Sequence, residues 1–274
     1  MSIKLGMIGG GVMGEALLSR LIAQQLYRPD DVLVSDPQAH RRDFLVQKYG
    51  VQVTSDNRAV AAASDVLLLA IKPQVFEAVA AALTEDDGEH QSPNEQLPVV
   101  VSILAGVSLS QLEAAFGHQP VIRAMPNTPA TVGAGITAIA SGKAVTPTQM
   151  KQATAIFQAV GEVVEVPEGL MDAVTGLSGS GPAYVAIMIE ALADGGVAAG
   201  LPRAIASKLA LSTVLGTAQL LQKSELHPAQ LKDQVTSPGG TTIAGITQLE
   251  RAGFRSALIE AVQAATQRSQ QLGQ

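Results

Sequence analysis

The sequence predicts an α/β fold in which a parallel-sheet domain, residues 1–165, precedes an all-helical domain, residues 166–274. Three observations predict it. Residues 3–25 contain a short apolar strand, a glycine-rich turn and an amphipathic helix. Further apolar runs alternate with helical patterns as far as about residue 166, which is typical of a parallel sheet with crossover helices. Beyond that point only helical patterns follow one another.

The glycine-rich turn has the spacing of a dinucleotide-binding loop, because Gly9, Gly11 and Gly14 satisfy G-x-G-x-x-G directly after the strand. The first glycine permits a tight turn, the second lets the backbone approach a pyrophosphate, and the third lets the helix pack on the strand. The amides and dipole of the helix then face the anion. We therefore expect a Rossmann-type dinucleotide-binding domain. Its expected loop contacts are Gly9, Gly10, Gly11, Val12, Met13 and Gly14.

The second strand, residues 31–35, ends where this fold meets the adenosine ribose. An acidic side chain at that point, here Asp36, favours the 2′,3′-diol of NAD. A hydroxyl with arginines nearby, here Ser35 with Arg41 and Arg42, favours the 2′-phosphate of NADP. An equally good interpretation is that Asp36 caps the next helix. The residues alone leave the cofactor open here.

A strand at residues 65–71 ends in a candidate ligand contact. This continuous apolar run is typical of a strand buried in a parallel sheet, and it leads into Lys72-Pro73. A lysine just beyond the carboxyl end of a strand faces the ligand crevice in this fold class. A solvated lysine is the alternative. The acidic, turn-rich stretch 85–98 is predicted to be a surface loop.

Two further strands lead to candidate site loops. Residues 99–104 form an apolar strand that precedes a helix with a capping-box pattern at Ser110 and Glu113. Residues 120–125 run into the proline-bounded loop 126–129, which displays one amide and one hydroxyl and suits either a ligand wall or an ordinary turn. A helix that opens at Thr146-Pro147 and a strand at residues 162–166 complete the alternating pattern.

The helical half contains two hydroxyl- and glycine-rich segments, residues 177–184 and 235–243. Each precedes a helix, so each is expected to offer backbone amides and hydroxyls at a helix N-terminus, which suit a small carboxylate. Helix capping with tight turns is the alternative for either segment. The helix from Pro182 to Ala199 is apolar on most faces and is therefore predicted to be buried.

Composition excludes several classes of function. The net charge is −6 with lysine and arginine dispersed, so we expect no nucleic-acid partner. The lack of cysteine makes the cytoplasm the default compartment, and no uninterrupted apolar run is long enough to span a membrane. The four histidines lack metal-ligand spacing and are expected to be solvated. Hydrophobic residues make up 47% of the chain and aromatic residues 3%, so a core of small aliphatic side chains and an oligomer are expected.

Several motifs together resemble one family, pyrroline-5-carboxylate reductase, over essentially the whole chain. They are Ala70-Ile71-Lys72-Pro73, residues 123–129 (RAMPNTP), 177–184 (LSGSGPAY), 193–197 (ADGGV), 227–228 (HP) and 237–243 (SPGGTTI). The LSGSGPAY and SPGGTTI segments are highly specific in combination. The resemblance implies that the chain reduces L-1-pyrroline-5-carboxylate to L-proline with NAD(P)H, the last step of proline biosynthesis.

The resemblance also implies an assembly and a set of contacts. The N-terminal domain would bind NAD(P)H, and the helical domain would form an interlocked homodimer, often assembled further into a decamer. The active site would then lie where the cofactor of one chain meets the helices of its partner. The cofactor contacts that it implies beyond the glycine loop are Asn57, Ala70, Lys72, Ala105 and Asn127. Ser35, Asp36 and Pro73 are further expected cofactor contacts because of their positions after strands. The substrate contacts are Glu225, Ser237, Gly240, Thr241 and Thr242.

The implied chemistry needs neither a metal nor a strong base. Hydride addition to a cyclic imine requires a protonated or hydrogen-bonded ring nitrogen, a fixed carboxylate and a nicotinamide at near-attack distance. We expect Thr242 to be the catalytic residue that hydrogen-bonds the ring nitrogen, while Ser237 to Thr241 hold the carboxylate.

Two positions depart from the family pattern. Asp36 stands where NADP-preferring relatives tend to carry a small hydroxyl, which leaves the cofactor preference open at this position. For the chain as a whole NADPH is the expected cofactor, and NADH is the alternative. Gln234 stands where some relatives have an asparagine near the cofactor, so that contact is not carried over.

Two rival functions make different predictions. A β-hydroxyacid dehydrogenase has a similar pair of domains, but that family needs a lysine on the first long helix of the second domain, and residues 182–199 contain none. A non-catalytic nucleotide sensor would bind the cofactor without oxidising it. Such a sensor would have no need of the hydroxyl-rich residues 237–242.

Overall fold

The computed structural model describes residues 3–62, 65–84, 98–117 and 119–273, and the chain forms two compact units. Unit 1 comprises Met1–Gly179 with Ala265–Gln274, and unit 2 comprises Ser180–Ala264. The sequence places the domain boundary after residue 165, whereas by contacts residues 166–179 and 265–274 belong to the unit that holds the sheet. Residues 85–97 of the predicted surface loop, His90 and His118 lie outside the described residues.

In the described part of unit 1, eight strands form one sheet. The strands are β1 (Leu5–Ile8), β2 (Val32–Ser35), β3 (Gln52–Thr54), β4 (Val66–Leu69), β5 (Val99–Ser102), β6 (Val121–Met125), β7 (Gly135–Ser141) and β8 (Gly161–Glu165). The helices of this unit are α1 (Val12–Ala23), α2 (Ala39–Tyr49), α3 (Asn57–Ala61), α4 (Phe76–Thr84), α5 (Leu109–Phe116), α6 (Pro147–Gln158) and α7 (Met171–Val174).

The strand order is β3-β2-β1-β4-β5-β6-β7-β8, and neighbouring strands are parallel except for the antiparallel pair β6 and β7. The chain progresses in one direction from β1 to β3 and in the other from β4 onward. The order therefore reverses at β1, and the carboxyl end of β1 opens at the crevice where α/β sheets bind ligands. This sheet confirms the predicted α/β class.

The central strands are buried because helices cover both faces of the sheet. Every residue of β1, β4 and β5 is buried, as the continuous apolar runs predict. Leu17, Leu18 and Leu21 of α1 belong to the core on one face, while Phe76 and Leu112 belong to the core on the other. The sheet therefore forms a rigid base from which the loops at its carboxyl edge project.

Two elements of unit 1 differ from the sequence prediction. The sequence predicts no strand at residues 135–141, yet these residues form β7 and pair with β6 from Ile122 to Met125. The capping box of α5 involves Ser108 and Gln111 and not Ser110 and Glu113. Helix α5 begins two residues earlier than that pattern implies, and Leu109 and Leu112 are then buried.

Unit 2 contains α8 (Gly181–Ala198), α9 (Arg203–Ser224), α10 (Pro228–Gln234), α11 (Thr241–Arg251) and the first part of α12 (Phe254–Leu272). Its buried core consists of Ala193, Ala206 and Ala210, at which α8 packs against α9. Within a single chain Ala193 is the one buried residue of α8, so one chain does not supply the burial predicted for residues 182–199. Small side chains allow close helix packing but leave the larger apolar side chains, such as Leu192 and Leu209, on the surface.

Helix α9 is long and apolar enough, by length and composition, to cross a membrane, and it is the one described helix that is so. An uninterrupted apolar run is not found here in the sequence, because serine, threonine and glutamine interrupt the apolar residues of α9. Only 11% of its most apolar window is buried within the chain. The exposed face of α9 therefore requires a covering surface outside the single chain.

Candidate active site

The glycine loop between β1 and α1 has the backbone geometry of a tight turn. Gly9 has a φ of +102°, and its N–H donates to the Ser35 carbonyl at 2.8 Å. A Cβ at Gly9 would lie 2.5 Å from the Ala70 carbonyl oxygen, and a Cβ at Gly14 would overlap the Gly9 carbonyl oxygen. At Gly11, by contrast, an added Cβ meets no atom within 4 Å. The space beside Gly11 therefore lies open, as a loop that admits a pyrophosphate requires.

Asp36, at the end of β2, is bonded to the backbone around this loop. Its Oδ2 accepts the Gly10 N–H at 3.0 Å, and its Oδ1 accepts the Gln38 N–H at 2.9 Å. The interpretation of Asp36 as the helix cap is wrong, because Gln38 occupies the N-cap position of α2. Ser35 is 1% exposed and donates its hydroxyl to Asn57 Oδ1 at 2.7 Å, so this hydroxyl faces the interior.

A polar cluster centred on Glu15 lies beside the loop. Arg41 donates to Glu15 Oε2 and to the Gly10 carbonyl, while Lys48 Nζ and the Tyr49 hydroxyl donate to Glu15 Oε1 at 3.0 and 2.8 Å. Burial opposes ionisation of Glu15, but the bonds from Arg41, Lys48 and Tyr49 outweigh it and lower its pKa from 4.5 to about 2. Glu15 thereby fixes the Arg41 guanidinium beside the Gly10 carbonyl of the glycine loop.

Other predicted cofactor contacts lie along the same edge of the sheet. Ala70 follows β4 and donates its N–H to the Ile8 carbonyl at 2.8 Å, next to the glycine loop, and exposed Lys72 with Pro73 comes directly after it. Ala105 follows β5, and Asn127 follows β6. Asn127 is 9% exposed, and its Oδ1 accepts the Ile136 N–H at 3.0 Å. These residues share an edge because the carboxyl ends of the parallel strands β1, β4, β5 and β6 meet there.

Unit 2 contains a polar turn at residues 237–242. The Gly240 N–H donates to the Ser237 carbonyl at 3.1 Å, and Gly239 has a φ of +67°. Gly240 is the N-cap of α11 and makes no side-chain capping bond, so the first amides of the helix remain available. A Cβ at Gly240 would overlap Ser237 Oγ. The turn therefore brings the Ser237 hydroxyl and the helix N-terminus to one place, a geometry that receives a carboxylate.

The segment before this turn is held by two local features. Glu225 ends α9 with a left-handed φ of +54°, which is uncommon for a residue with a side chain. His227 caps α10, because its Nδ1 accepts the Ala229 N–H at 3.2 Å while Gln230 Oε1 accepts the His227 N–H at 3.1 Å. Both features fix the path of the chain between α9 and the polar turn.

The segment 177–184 leads into a helix, as predicted, because α8 begins at Gly181. Residues 175–179 form a π-helical turn directly after α7, and Ser180 has helical backbone angles, so the backbone before α8 is helical and not extended. A carboxylate-binding role for this segment stays a prediction. Among the described residues no group of three or more histidine, aspartate or glutamate side chains could hold a metal ion.

Comparisons with known proteins agree with this geometry. The family model described as pyrroline-5-carboxylate reductase dimerisation matches residues 168–272, and the one described as NADP oxidoreductase coenzyme F420-dependent matches residues 4–106. A pyrroline-5-carboxylate reductase of Synechocystis sp. is 63% identical over 273 residues, which cover 100% of this chain and 99% of the relative. The chain belongs to the pyrroline-5-carboxylate reductase family.

Solved structures of pyrroline-5-carboxylate reductases share the fold along the whole chain. The protein of Coxiella burnetii has a TM-score of 0.89 at 36% identity and covers 100% of both chains. Plasmodium falciparum pyrroline carboxylate reductase, solved with NADP bound, has a TM-score of 0.86 at 32% identity over 99% of this chain and 98% of its own. The predicted family and the predicted order of the sheet and helical portions are confirmed.

The structure places the predicted site residues in two groups, and each group lies within one unit. The loop glycines, Asp36, Ala70 and the strand-end residues share the sheet edge of unit 1, and Ser237 to Thr242 form one turn in unit 2. The sequence alone predicts no role for Glu15 or Tyr49, and it predicts His227 to be a solvated side chain and not a helix cap. An acidic residue in the first turn of α1 was the one available signal for Glu15, since its partners lie on another helix.

Proposed function

We propose that this chain reduces L-1-pyrroline-5-carboxylate to L-proline by hydride transfer from NAD(P)H, as the last step of proline biosynthesis. The observation that carries the proposal is the similarity of the whole chain to a pyrroline-5-carboxylate reductase at 63% identity. The reaction requires a dinucleotide site and a receptor for a small imino acid. The glycine loop of unit 1 and the polar turn of unit 2 supply these two binding functions.

NADPH is the favoured cofactor, and when bound it supplies the hydride. The open space at Gly11 fits the close approach of a pyrophosphate. At the adenosine end, both carboxylate oxygens of Asp36 already accept backbone N–H groups. Arg42 donates to the Asp36 carbonyl just after β2, and Arg41 donates to the carbonyl of Gly10, the residue whose N–H Asp36 accepts. We assign the 2′-phosphate to these arginines and not to the buried Ser35 hydroxyl, because a guanidinium binds phosphate well. NADH remains the alternative cofactor.

The imino acid is assigned to the polar turn. Ser237 Oγ and the Thr241 amide hold its carboxylate, Gly240 shapes the turn through its own bond to the Ser237 carbonyl, and the Thr242 hydroxyl hydrogen-bonds the ring nitrogen. The substrate can enter already protonated on that nitrogen, so the site needs to fix and orient the ring more than to move a proton. Glu225 is placed near the ring, where its carboxylate favours a positively charged iminium.

The decisive experiment measures oxidation of NADPH and of NADH on addition of pyrroline-5-carboxylate. We expect turnover and proline as the product. Thr242→Ala should lower kcat by about 10²-fold while the Kd for NADPH, measured by titration, stays unchanged, and Thr242→Ser should retain most of the activity. Wild-type turnover in Thr242→Ala would remove Thr242 from the mechanism. Cofactor binding without turnover by the wild type would favour the sensor or a reductase of another imine.

Cofactor choice is tested separately. Arg41→Ala should raise KM for NADPH by about 10-fold and leave KM for NADH within about two-fold, since only the former carries a 2′-phosphate. Arg251→Ala is the matched control, because Arg251 lies in the last turn of α11 and belongs to unit 2. Equal changes for both cofactors would assign Arg41 to the loop and not to the phosphate.

The helical part, residues 166–274, is proposed to form a homodimer in which a second copy covers the apolar faces of α8 and α9, with a decamer as the larger assembly. The match of residues 168–272 to a dimerisation family and the exposure of Leu192, Leu209 and Leu215 support the dimer. Burial of α9 against the second copy also accounts for its apolar exposed face without a membrane. Sedimentation analysis should give a dimer or a multiple of it in the absence of detergent, and a monomer would contradict the proposal.

We also place the enzyme in the cytoplasm. The absence of cysteine removes any need for an oxidising compartment, and reduction of the imine requires a pool of reduced nicotinamide. Fractionation of cells that express the chain should recover it with soluble cytoplasmic markers.

A further inference from the structure

Residues 265–273, called the tail segment below, pack on a loop of the sheet unit. Ser269 is 4% exposed, and its hydroxyl donates to Asp172 Oδ1 at 2.6 Å. A Cβ built at Gly106 would lie 3.5 Å from the Leu272 carbonyl oxygen. A Cβ at Gly273 would lie 2.9 Å from the Gly106 carbonyl oxygen. The tail segment therefore meets the backbone of Gly106 at close range, which only glycine at position 273 permits without displacement.

The contacted loop, residues 103–108, joins β5 to α5 at the carboxyl edge of the sheet. Gly106 adopts a left-handed φ of +79°, a conformation that its neighbours must hold in place. At the far end of the loop, the Leu109 N–H donates to Glu168 Oε1, and Glu168 also pairs with buried Arg123 at 3.4 Å. The loop is thus fixed from one side by Glu168.

The other side of the loop is fixed by the tail segment. Asp172 lies one helical turn beyond Glu168, next to fully buried Met171, so the segment 168–172 is anchored in the core. The Ser269 bond attaches the tail segment to that anchor. A hydrogen bond from a buried hydroxyl to a carboxylate is short and strong compared with one between neutral groups. Glu168 and Asp172 thereby connect both braces of the loop to one rigid element.

We propose that the tail segment positions the Ala105–Gly106 loop for cofactor binding, and that Ser269 and Gly273 are positioning residues in the reaction. This inference rests on the proposed function, in which Ala105 contacts the cofactor. Neither residue touches the cofactor itself. Loss of the brace frees the left-handed turn at Gly106 to sample other backbone conformations, so the cofactor must reorder the loop when it binds, and its affinity falls.

The test compares Ser269→Ala with Ser256→Ala. Ser256 lies on the same helix, but it is exposed and bonds only to Glu260 among the described residues. We expect Ser269→Ala to weaken NADPH binding by about 10-fold, measured as Kd by titration and as KM by initial rates. KM for pyrroline-5-carboxylate and kcat at saturating NADPH should stay within about two-fold. Ser256→Ala should leave every one of these constants unchanged.

Two further variants separate positioning from stability. Asp172→Asn keeps an oxygen that can accept the Ser269 hydroxyl, so it should retain more NADPH affinity than Asp172→Ala. Gly273→Ala changes the contact from the tail side and should weaken NADPH binding as Ser269→Ala does. If Ser269→Ala lowers the melting temperature but leaves Kd for NADPH unchanged, the role is structural and the inference is overturned.

The direct titration keeps this inference distinct from the proposed function. A wild-type protein that binds NADPH but does not reduce pyrroline-5-carboxylate would contradict the proposed reaction, and the Kd values of the variants would still decide the role of the tail segment. A wild-type protein that binds neither NADPH nor NADH would overturn both.

Discussion

Substitution of single loop glycines separates folding from cofactor binding. Gly11 has a φ of −68° and a ψ of −169°, a conformation that alanine adopts freely, and a Cβ added there would meet no protein atom within 4 Å. Gly11→Ala should therefore leave the free energy of unfolding of the cofactor-free protein within about 0.5 kcal/mol of wild type. The same Cβ occupies the space that admits the pyrophosphate, so affinity for NADPH should fall by about 10- to 100-fold, or about 1.4–2.7 kcal/mol.

Gly9→Ala is the counterpart, because its Cβ would meet protein and not ligand. A left-handed backbone costs about 1–2 kcal/mol for a residue with a side chain. The 2.5 Å approach to the Ala70 carbonyl oxygen adds an overpacking cost of about 1–3 kcal/mol, since a backbone oxygen cannot move aside. We expect a total of about 3 kcal/mol, seen as a fall of roughly 6–12 °C in melting temperature.

The assay pairs thermal unfolding without cofactor with NADPH titration of each variant. Gly9→Ala should lose stability, whereas Gly11→Ala should lose affinity alone. Unchanged affinity in Gly11→Ala would refute the assignment of the pyrophosphate to this loop. Wild-type stability in Gly9→Ala would refute the argument from its contact with Ala70.

Three further predictions concern other contacts. Gly240→Ala, which displaces Ser237 Oγ, should raise KM for the imino acid by about 10-fold, whereas Gly245→Ala in the same helix, where a Cβ meets no atom of the chain within 4 Å, should leave KM unchanged. The lowered pKa of Glu15 stabilises the fold fully above about pH 5, and this stability is lost as pH falls toward 2. The difference between 4.5 and about 2 sets a limit of about 3 kcal/mol, which solvent screening reduces to roughly 1–2 kcal/mol. In Glu15→Gln the free energy of unfolding should vary less with pH between about pH 5 and 2. An unchanged pH dependence would contradict the assignment of this stability to Glu15. His227→Ala should destabilise α10 by about 1 kcal/mol and raise KM for the imino acid, whereas His227→Asn, which retains a cap, should restore both; equal effects of the two variants would exclude the capping role.

Local pattern and composition predict the parts of the structure that depend on neighbouring residues. Examples are the glycine loop, the buried central strands and the helix starts at prolines, because each depends on the pattern of consecutive residues. Strand β7 was missed because its small side chains and flanking glycines give a weak strand pattern, and its pairing partner β6 determines it. The capping box lies at Ser108 and Gln111, two residues before the predicted one, because both Ser108 and Ser110 fit the capping pattern. The start at Ser108 is the one that buries Leu109.

The site follows the same division. The Gly11 and Ser237–Thr242 segments are recognisable from their spacing, since each is a single turn that leads into a helix. The Asp36 bond to Gly10 and the Glu15 cluster are not, because their partners come from separate elements and meet only in the folded sheet. Composition predicts an excess of small aliphatic residues. It does not predict that α8 and α9 expose apolar faces, because which side chains remain exposed depends on how the helices of one chain pack.

Unit 1 is built from two separate stretches of the sequence, so its parts are synthesised at different times. Every described strand of the sheet is synthesised before unit 2 begins at residue 180, whereas the tail segment is synthesised only after residue 264. Domains generally fold during synthesis, N-terminal part first. A nascent chain stalled at residue 264 should therefore hold a folded sheet whose Ala105–Gly106 loop still lacks the contacts of the tail segment. If the tail segment positions this loop as proposed, the order of translation delays completion of the cofactor site until the helices of unit 2 have been synthesised.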